Sequence, residues 1–378
     1  MLNKKIMIVL LALGALVIIA LLGVSYQLSS KIRAELELTL NDHLSQAVNT
    51  YTQRGLNISY APFVCLGMSS YQCISKHITL IDSHTGEEVA KVAGLALHID
   101  EIQTGSMQIS LGADHLSFSG IQKAIQESKN QELLDLYTVL MPESFVCHEK
   151  DIVSDKHSGA VSSQRQCTFK AQGIQYRYSF DGRVKSPDFA DKTILNAMIS
   201  YYGSLSLLDK LSSGELQADF AIDHIAFVLT SSHLKDTLYP ILEADYRQHH
   251  PKTKIPFDTK AYHQALENIR GFIDFGLTFS GLGVGPYAYG LQQFFDGIVA
   301  MAEGEVSEVS IQLIPKNNPA PYFSLTPDTI SNLTKLGTQQ RLLAKVFNHY
   351  NLQVSTQALK APDKPAKPSK SDKSDTTH

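Results

Sequence analysis

The residues of this 378-residue chain that could do chemistry are few and scattered. Asp114–His115 and Asp223–His224 each set a carboxylate beside an imidazole, a pairing that acid–base or metal chemistry can use. Neither pair has a third ligand nearby, so a polar corner in which Asp caps its own turn is the stronger reading. His249–His250 stands before Pro251 at what reads as a helix end, where imidazole complements the helix dipole. Gly281-Leu-Gly-Val-Gly-Pro286 leads glycines into a helix start, as a phosphate loop does. It lacks the Lys-Ser/Thr of a P-loop and the spacing of GxGxxG, so it reads as an apolar connection. No G-x-S-x-G or H-E-x-x-H occurs. No catalytic residue, metal ligand or cofactor site is therefore expected, and the chain reads as a binder rather than an enzyme.

The four cysteines, Cys65, Cys73, Cys147 and Cys167, fall in two sequence-local pairs within or beside strand-like segments. Cys65–Cys73 and Cys147–Cys167 each flank a polar, turn-rich loop and are expected as structural disulfides. Loop-closure entropy assigns them about 2.6 and about 3.3 kcal/mol. A four-thiol zinc site is the alternative, but neither pair has C-x2–4-C spacing. Disulfides imply an oxidising compartment.

Ile6–Val24 holds an unbroken apolar run, a rod of roughly 28 Å if helical, about one hydrocarbon core thick. Gly23 and Ser25 would suit a signal-peptidase site, yet the run is longer than a usual signal core. Helical register also continues past it through Leu28, Ile32, Leu36, Leu40, Leu44 and Val48. An uncleaved anchor followed by a helical stalk, stopped by Gly55, is expected. Lys4 and Lys5 and the short N-terminal flank favour a cytoplasmic N-terminus, with the bulk of the chain periplasmic. Net charge is −4, which leaves no electrostatic footprint for nucleic acid.

Beyond Gly55 the apolar period becomes two. Strands are expected around Leu56–Tyr60, Ile78–Leu80, Leu95–Ile99, Met107–Leu111, Leu116–Phe118, Phe169, Ile174–Phe180, Leu216–Ile222, Ile225–Leu229 and Val309–Leu313. Helices are expected over 121–140, 190–211, 232–249, 258–273, 286–302 and from Thr326–Pro327 to about Tyr350. Residues 100–118 align without gaps with 209–227, matching Gly105/Gly214, Asp114/Asp223 and His115/His224 among others. That echo suggests a duplicated strand unit, with 304–315 as a third, degraded copy. Residues 361–378 are almost wholly Lys, Pro, Ser, Asp and Thr, a disordered tail.

The expected fold is α+β. It divides into a cytoplasmic 1–5, a transmembrane helix 6–24, a stalk 25–54, two α+β units at 55–142 and 143–360, and the tail. The anchor, the strand ending L-x-L-x-I-D at 95–100, then G-S-M-Q-I-S-L at 105–111 and L-S-F-S-G at 116–120 resemble AsmA-like envelope proteins. That resemblance covers roughly residues 1–120. It implies an inner-membrane-anchored, β-rich periplasmic body tied to lipid traffic or outer-membrane assembly, with no catalytic residues to carry over. Two functions follow as expectations: handling a lipid or other apolar ligand, or serving as a structural or adaptor protein with an envelope partner. A hydrolase with a dispersed site is the third.

Overall fold

The computed structural model describes residues 30–52, 55–67, 70–192, 213–252, 255–279, 287–329 and 348–359, with Leu211 and Val346 between them. The anchor run Ile6–Val24, most of the 190–211 helix, Gly281–Pro286 and the tail lie outside the described residues. Among the described residues no helix is long and apolar enough to cross a membrane.

The fold is α+β, built on one antiparallel sheet. Its strands are β1 (Leu56–Tyr60), β2 (Val64–Leu66), β3 (Tyr71–Asp82), β4 (Glu88–Ile102), β5 (Ser106–Ala113), β6 (His115–Ser117), β7 (Ser144–Asp155), β8 (Ala160–Lys170), β9 (Gln175–Lys185), β10 (Ala218–Thr230), β11 (Val306–Pro315), β12 (Phe323–Leu325) and β13 (Tyr350–Ala358). They lie in the order β1-β3-β4-β5-β7-β8-β9-β10-β11-β13, a near-sequential meander in which β2, β6 and β12 extend β1, β5 and β11 along the same neighbours. The expected unit boundary at 142–143 is no break in this sheet. β5 and β7 pair across it from Ser106↔Ile152 to Ala113↔Phe145.

Helices α1 (Ser30–Thr52), α2 (Ser119–Glu127), α3 (Gln131–Leu140), α4 (Leu234–His249), α5 (Thr259–Phe279) and α6 (Ala288–Ala302) complete the described elements. The stalk expectation gains a definite form in α1. Leu36, Leu40, Leu44, Ala47 and Tyr51 are buried in the same core as Leu56, Ile58 and Phe63 of the first strands. The helix therefore lies along the sheet rather than standing clear of it. Its polar side chains also close the sheet's first edge: Asn41 bonds both the carbonyl and the N–H of Phe63, and Glu37 accepts from the Cys65 N–H at 2.9 Å.

The helix expected over 121–140 is two helices. Lys129 turns left-handed at φ +55°, and Asn130 caps the second by accepting from the Leu133 N–H at 2.9 Å. Asp258 accepts from the Ala261 N–H at the start of α5, as expected of an N-cap. At α6, Gly290 faces Leu352 and Gly297 faces Val309. A Cβ at either would lie within 2.8 Å of those side chains, so glycine lets this helix sit directly on the sheet.

Two main cores result. One runs from α1 across β1 to β8 and includes Phe189; the other joins β9 to β11 with α4, α5 and α6. Both disulfides form with the expected connectivity, each between residues directly opposite in register, Cys65↔Cys73 on β2–β3 and Cys147↔Cys167 on β7–β8.

Candidate functional site: the open face of the sheet

Alternation along each strand sends one set of side chains to the cores and the other to the opposite face. On that opposite face the registers join Gln72, His98, Ser110, His148, Gln166, Ser179, Ala226, Gln312 and Gln353 into one row across the sheet, from β3 to β13. All but Ala226 can both donate and accept hydrogen bonds. A groove of about 350 Å³ runs along the row's centre, lined by Asp100, His148, Lys150, Gln164, Gln166 and Asp181 among others.

Beside it, Ser110 Oγ donates to Asp100 Oδ2 at 2.7 Å and lies 3.0 Å from His148 Nδ1; Asp100 and His148 are two of the lining side chains. These are the residue types of a hydrolytic triad in the wrong order. A nucleophilic serine needs the imidazole between itself and the carboxylate, so that the ring takes its proton. Here the hydroxyl sits between the other two. Its single proton goes to Asp100, which leaves none for His148 to take. The arrangement orders side chains on a surface; it does not activate a nucleophile.

Beneath the groove, on the core face of the same strands, lies a buried polar cluster. Arg165 holds Glu149 in a two-pronged pair, Nη2–Oε1 at 2.6 Å and Nε–Oε2 at 3.1 Å. Two residues along β7, Asp151 is fully buried and accepts from Ser163 through Oδ1, while its Oδ2 has no hydrogen-bond partner. Burial first, and the neighbouring Glu149 second, push the Asp151 carboxyl up to about 7, against the opposing pull of Ser163 and Arg165.

The residues singled out in the sequence fall elsewhere. Asp114 sits between β5 and β6 opposite Gly94, whose φ is +64°; a Cβ on that glycine would lie 2.3 Å from Asp114 Oδ2. His115 is exposed and pairs in register with Ala93. Asp223 is the extra residue of a bulge in β10, between Ile222 and His224. Arg183 clamps it at 2.7 and 2.8 Å, and the same guanidinium donates to the Ala320 carbonyl and stacks on Tyr322. The hydrogen bond and charge of Asp223 hold the Arg183 guanidinium above its ordinary range. His224 approaches Asp181 at 3.8 Å and Gln312 at 3.5 Å, on the open face. Both Asp–His steps thus mark irregularities in a strand, with different partners. Among the described residues no group of three metal-ligating side chains forms.

His249 and His250 each set Nδ1 at 3.0 Å from the carbonyl four residues back, closing the C-terminal end of α4. His249 also borders a second polar groove of about 340 Å³, between the α2–α3 turn and α4, with Glu132 and Asp245. A Ser-x-x-Lys spacing, Ser232–Lys235, occurs at the start of α4. There Ser232 Oγ meets His233 Nδ1 at 2.8 Å, and the Lys235 stem packs toward Gly304.

Exposed large apolar side chains occur at several places among the described residues, Leu38 on α1 and Val64 and Leu66 on β2 among them. Ile269, Phe272 and Phe275 form an exposed stripe on α5, and Tyr289 is exposed on the adjoining α6. The polar row and the Asp151 cluster carry no sequence motif. Their only signal is register, which requires the strand pairing to be known. Comparison with protein-family models, curated proteins and solved structures finds no match.

Proposed function

We propose that this chain is a single-pass, inner-membrane protein anchored by Ile6–Val24, with a periplasmic body that binds an envelope protein partner and catalyses nothing. The observation that carries the reading is the polar row on the open face. A strip of amides, hydroxyls and imidazoles, free of an activated nucleophile, suits recognition of another polar surface. Two disulfides in register fit an oxidising compartment. The docking of α1 along the first strands supports an anchor that holds the sheet at a set height above the bilayer.

The AsmA-like resemblance belongs to this proposal, as does the duplication of the β5–β6 and β10 segments, both of which break at their Asp. Lipid handling is the less favoured reading. The side chains lining the two grooves described above are mainly polar, and among the described residues the apolar strand faces pack with the helices into the two cores.

A photo-crosslinking residue at position 166, in the centre of the row, tests this in cells. The expected result is one discrete protein adduct, absent when the same residue is placed at 252 in the turn after α4. No adduct at 166, or equal adducts at both positions, overturns the proposal.

A further inference from the structure

The two edges of the sheet are treated differently. At the first, β1 and β2 are short, Pro62 separates them, and Asn41 and Glu37 of α1 occupy backbone groups of Phe63 and Cys65. These are the devices that keep an edge from pairing with another chain. At the last, β13 runs for nine residues, YNLQVSTQA, with no charge and no proline, and its pairing with β11 is regular from Tyr350 to Gln357. Among the described residues its one neighbour is β11. Asn351, Gln353, Ser355 and Gln357 are all exposed.

We propose that β13 is a dimerisation edge, pairing antiparallel with β13 of a second copy about a two-fold axis through Val354. That register sets Asn351 opposite Gln357 and Gln353 opposite Ser355. Each of these pairs on the open face is then an amide or hydroxyl facing another, with donors and acceptors on both sides and no like charges opposed. A charged partner strand would find no counter-charge on β13, whereas a second copy matches it. The chain that follows the strand fixes the direction. Five lysines, Lys360, Lys364, Lys367, Lys370 and Lys373, come directly after it. Parallel pairing would lead two such tails out side by side; antiparallel pairing sends them from opposite ends. Of the neighbouring helices, α6 packs on β13 through Gly290 and is tied to α5 by the Arg270–Asp296 ion pair; these two helices carry the exposed Tyr289 and Phe272. The pairing is isologous, the commonest form of homodimer. It is independent of the partner proposed for the open face, and it continues the polar row across the axis.

Light scattering on the full chain in detergent should give twice the 41.7 kDa chain mass after correction for the micelle. Gln353→Lys with Ser355→Lys sets lysines opposite one another and should halve that mass. Asn57→Lys with Ser59→Lys, on the opposite edge, should leave it unchanged. Circular dichroism reports whether each variant folds. A second readout does not depend on the lysine variants: Asn351→Cys and Gln357→Cys chains should form an intermolecular disulfide only when mixed. A monomeric wild-type chain, a folded β13 lysine variant of undiminished mass, or an Asn351→Cys chain that links to itself would each overturn the proposal.

Discussion

Replacing Asp151 by asparagine should stabilise the fold at pH 8 and change little at pH 4. The carboxyl is fully buried, and one of its oxygens has no partner. The groups that face it are Glu149 on its own strand, Ser163 and Arg165 on β8, and Met107 opposite on β5. Lys150 points to the other face. The folded carboxyl titrates near 7 against 3.8 for an ordinary aspartate, so between those values the folded chain holds a proton that the unfolded chain has released. Stability is then fully present below about 4, falls as pH rises toward about 7, and is level beyond. Three pKa units correspond to a loss on the order of 4 kcal/mol across that window. Urea denaturation at a series of pH values should show this decline in the wild type and a nearly flat profile in Asp151→Asn. A wild-type stability that climbs from pH 5 to pH 8 would contradict it.

Arg165→Met should cost about 3 kcal/mol or more, and the added change Glu149→Gln should restore most of it. The Glu149 side chain is only 2% exposed, so removing the guanidinium takes away the positive charge that its two-pronged pair supplies to a buried carboxylate. With glutamine at position 149 the stranded group is neutral, which removes most of the penalty. A double-mutant cycle in urea reads the coupling directly. Costs that simply add would show that the two side chains do not depend on each other.

This cluster also explains where the fold was legible from residue types and where it was hidden. β3, β4 and β5 are legible because their inner faces carry Ile78, Leu80, Leu95, Leu97, Ile99, Ile109 and Leu111, although the alternation shifts by one at Lys76–His77 in β3 and at Ala93–Gly94 in β4. β7 escaped as a full strand since its inner face reads Phe145, Cys147, Glu149, Asp151. The two carboxylates break the period where the chain is most deeply buried. β13 was hidden for another reason: Tyr350, Leu352 and Val354 alternate with Asn351, Gln353 and Ser355, but the run is short, ends in mostly polar residues and directly follows a segment with helical spacing. The bulge at Asp223 splits one strand into two apparent ones. Conversely, the disulfide pairing was legible, because short hairpins place sequence-local cysteines opposite each other. The polar row could not be read in advance. Its members are spread over 282 positions of sequence, from Gln72 to Gln353, and meet only through eight successive registers.

A membrane-held sheet that recognises a polar partner should carry no lipid. Native mass spectrometry of the full chain released from membranes tests it most directly. The expected spectrum shows the chain or its dimer with all four cysteines oxidised and no lipid adduct. A lipid bound in stoichiometric amount would contradict the claim.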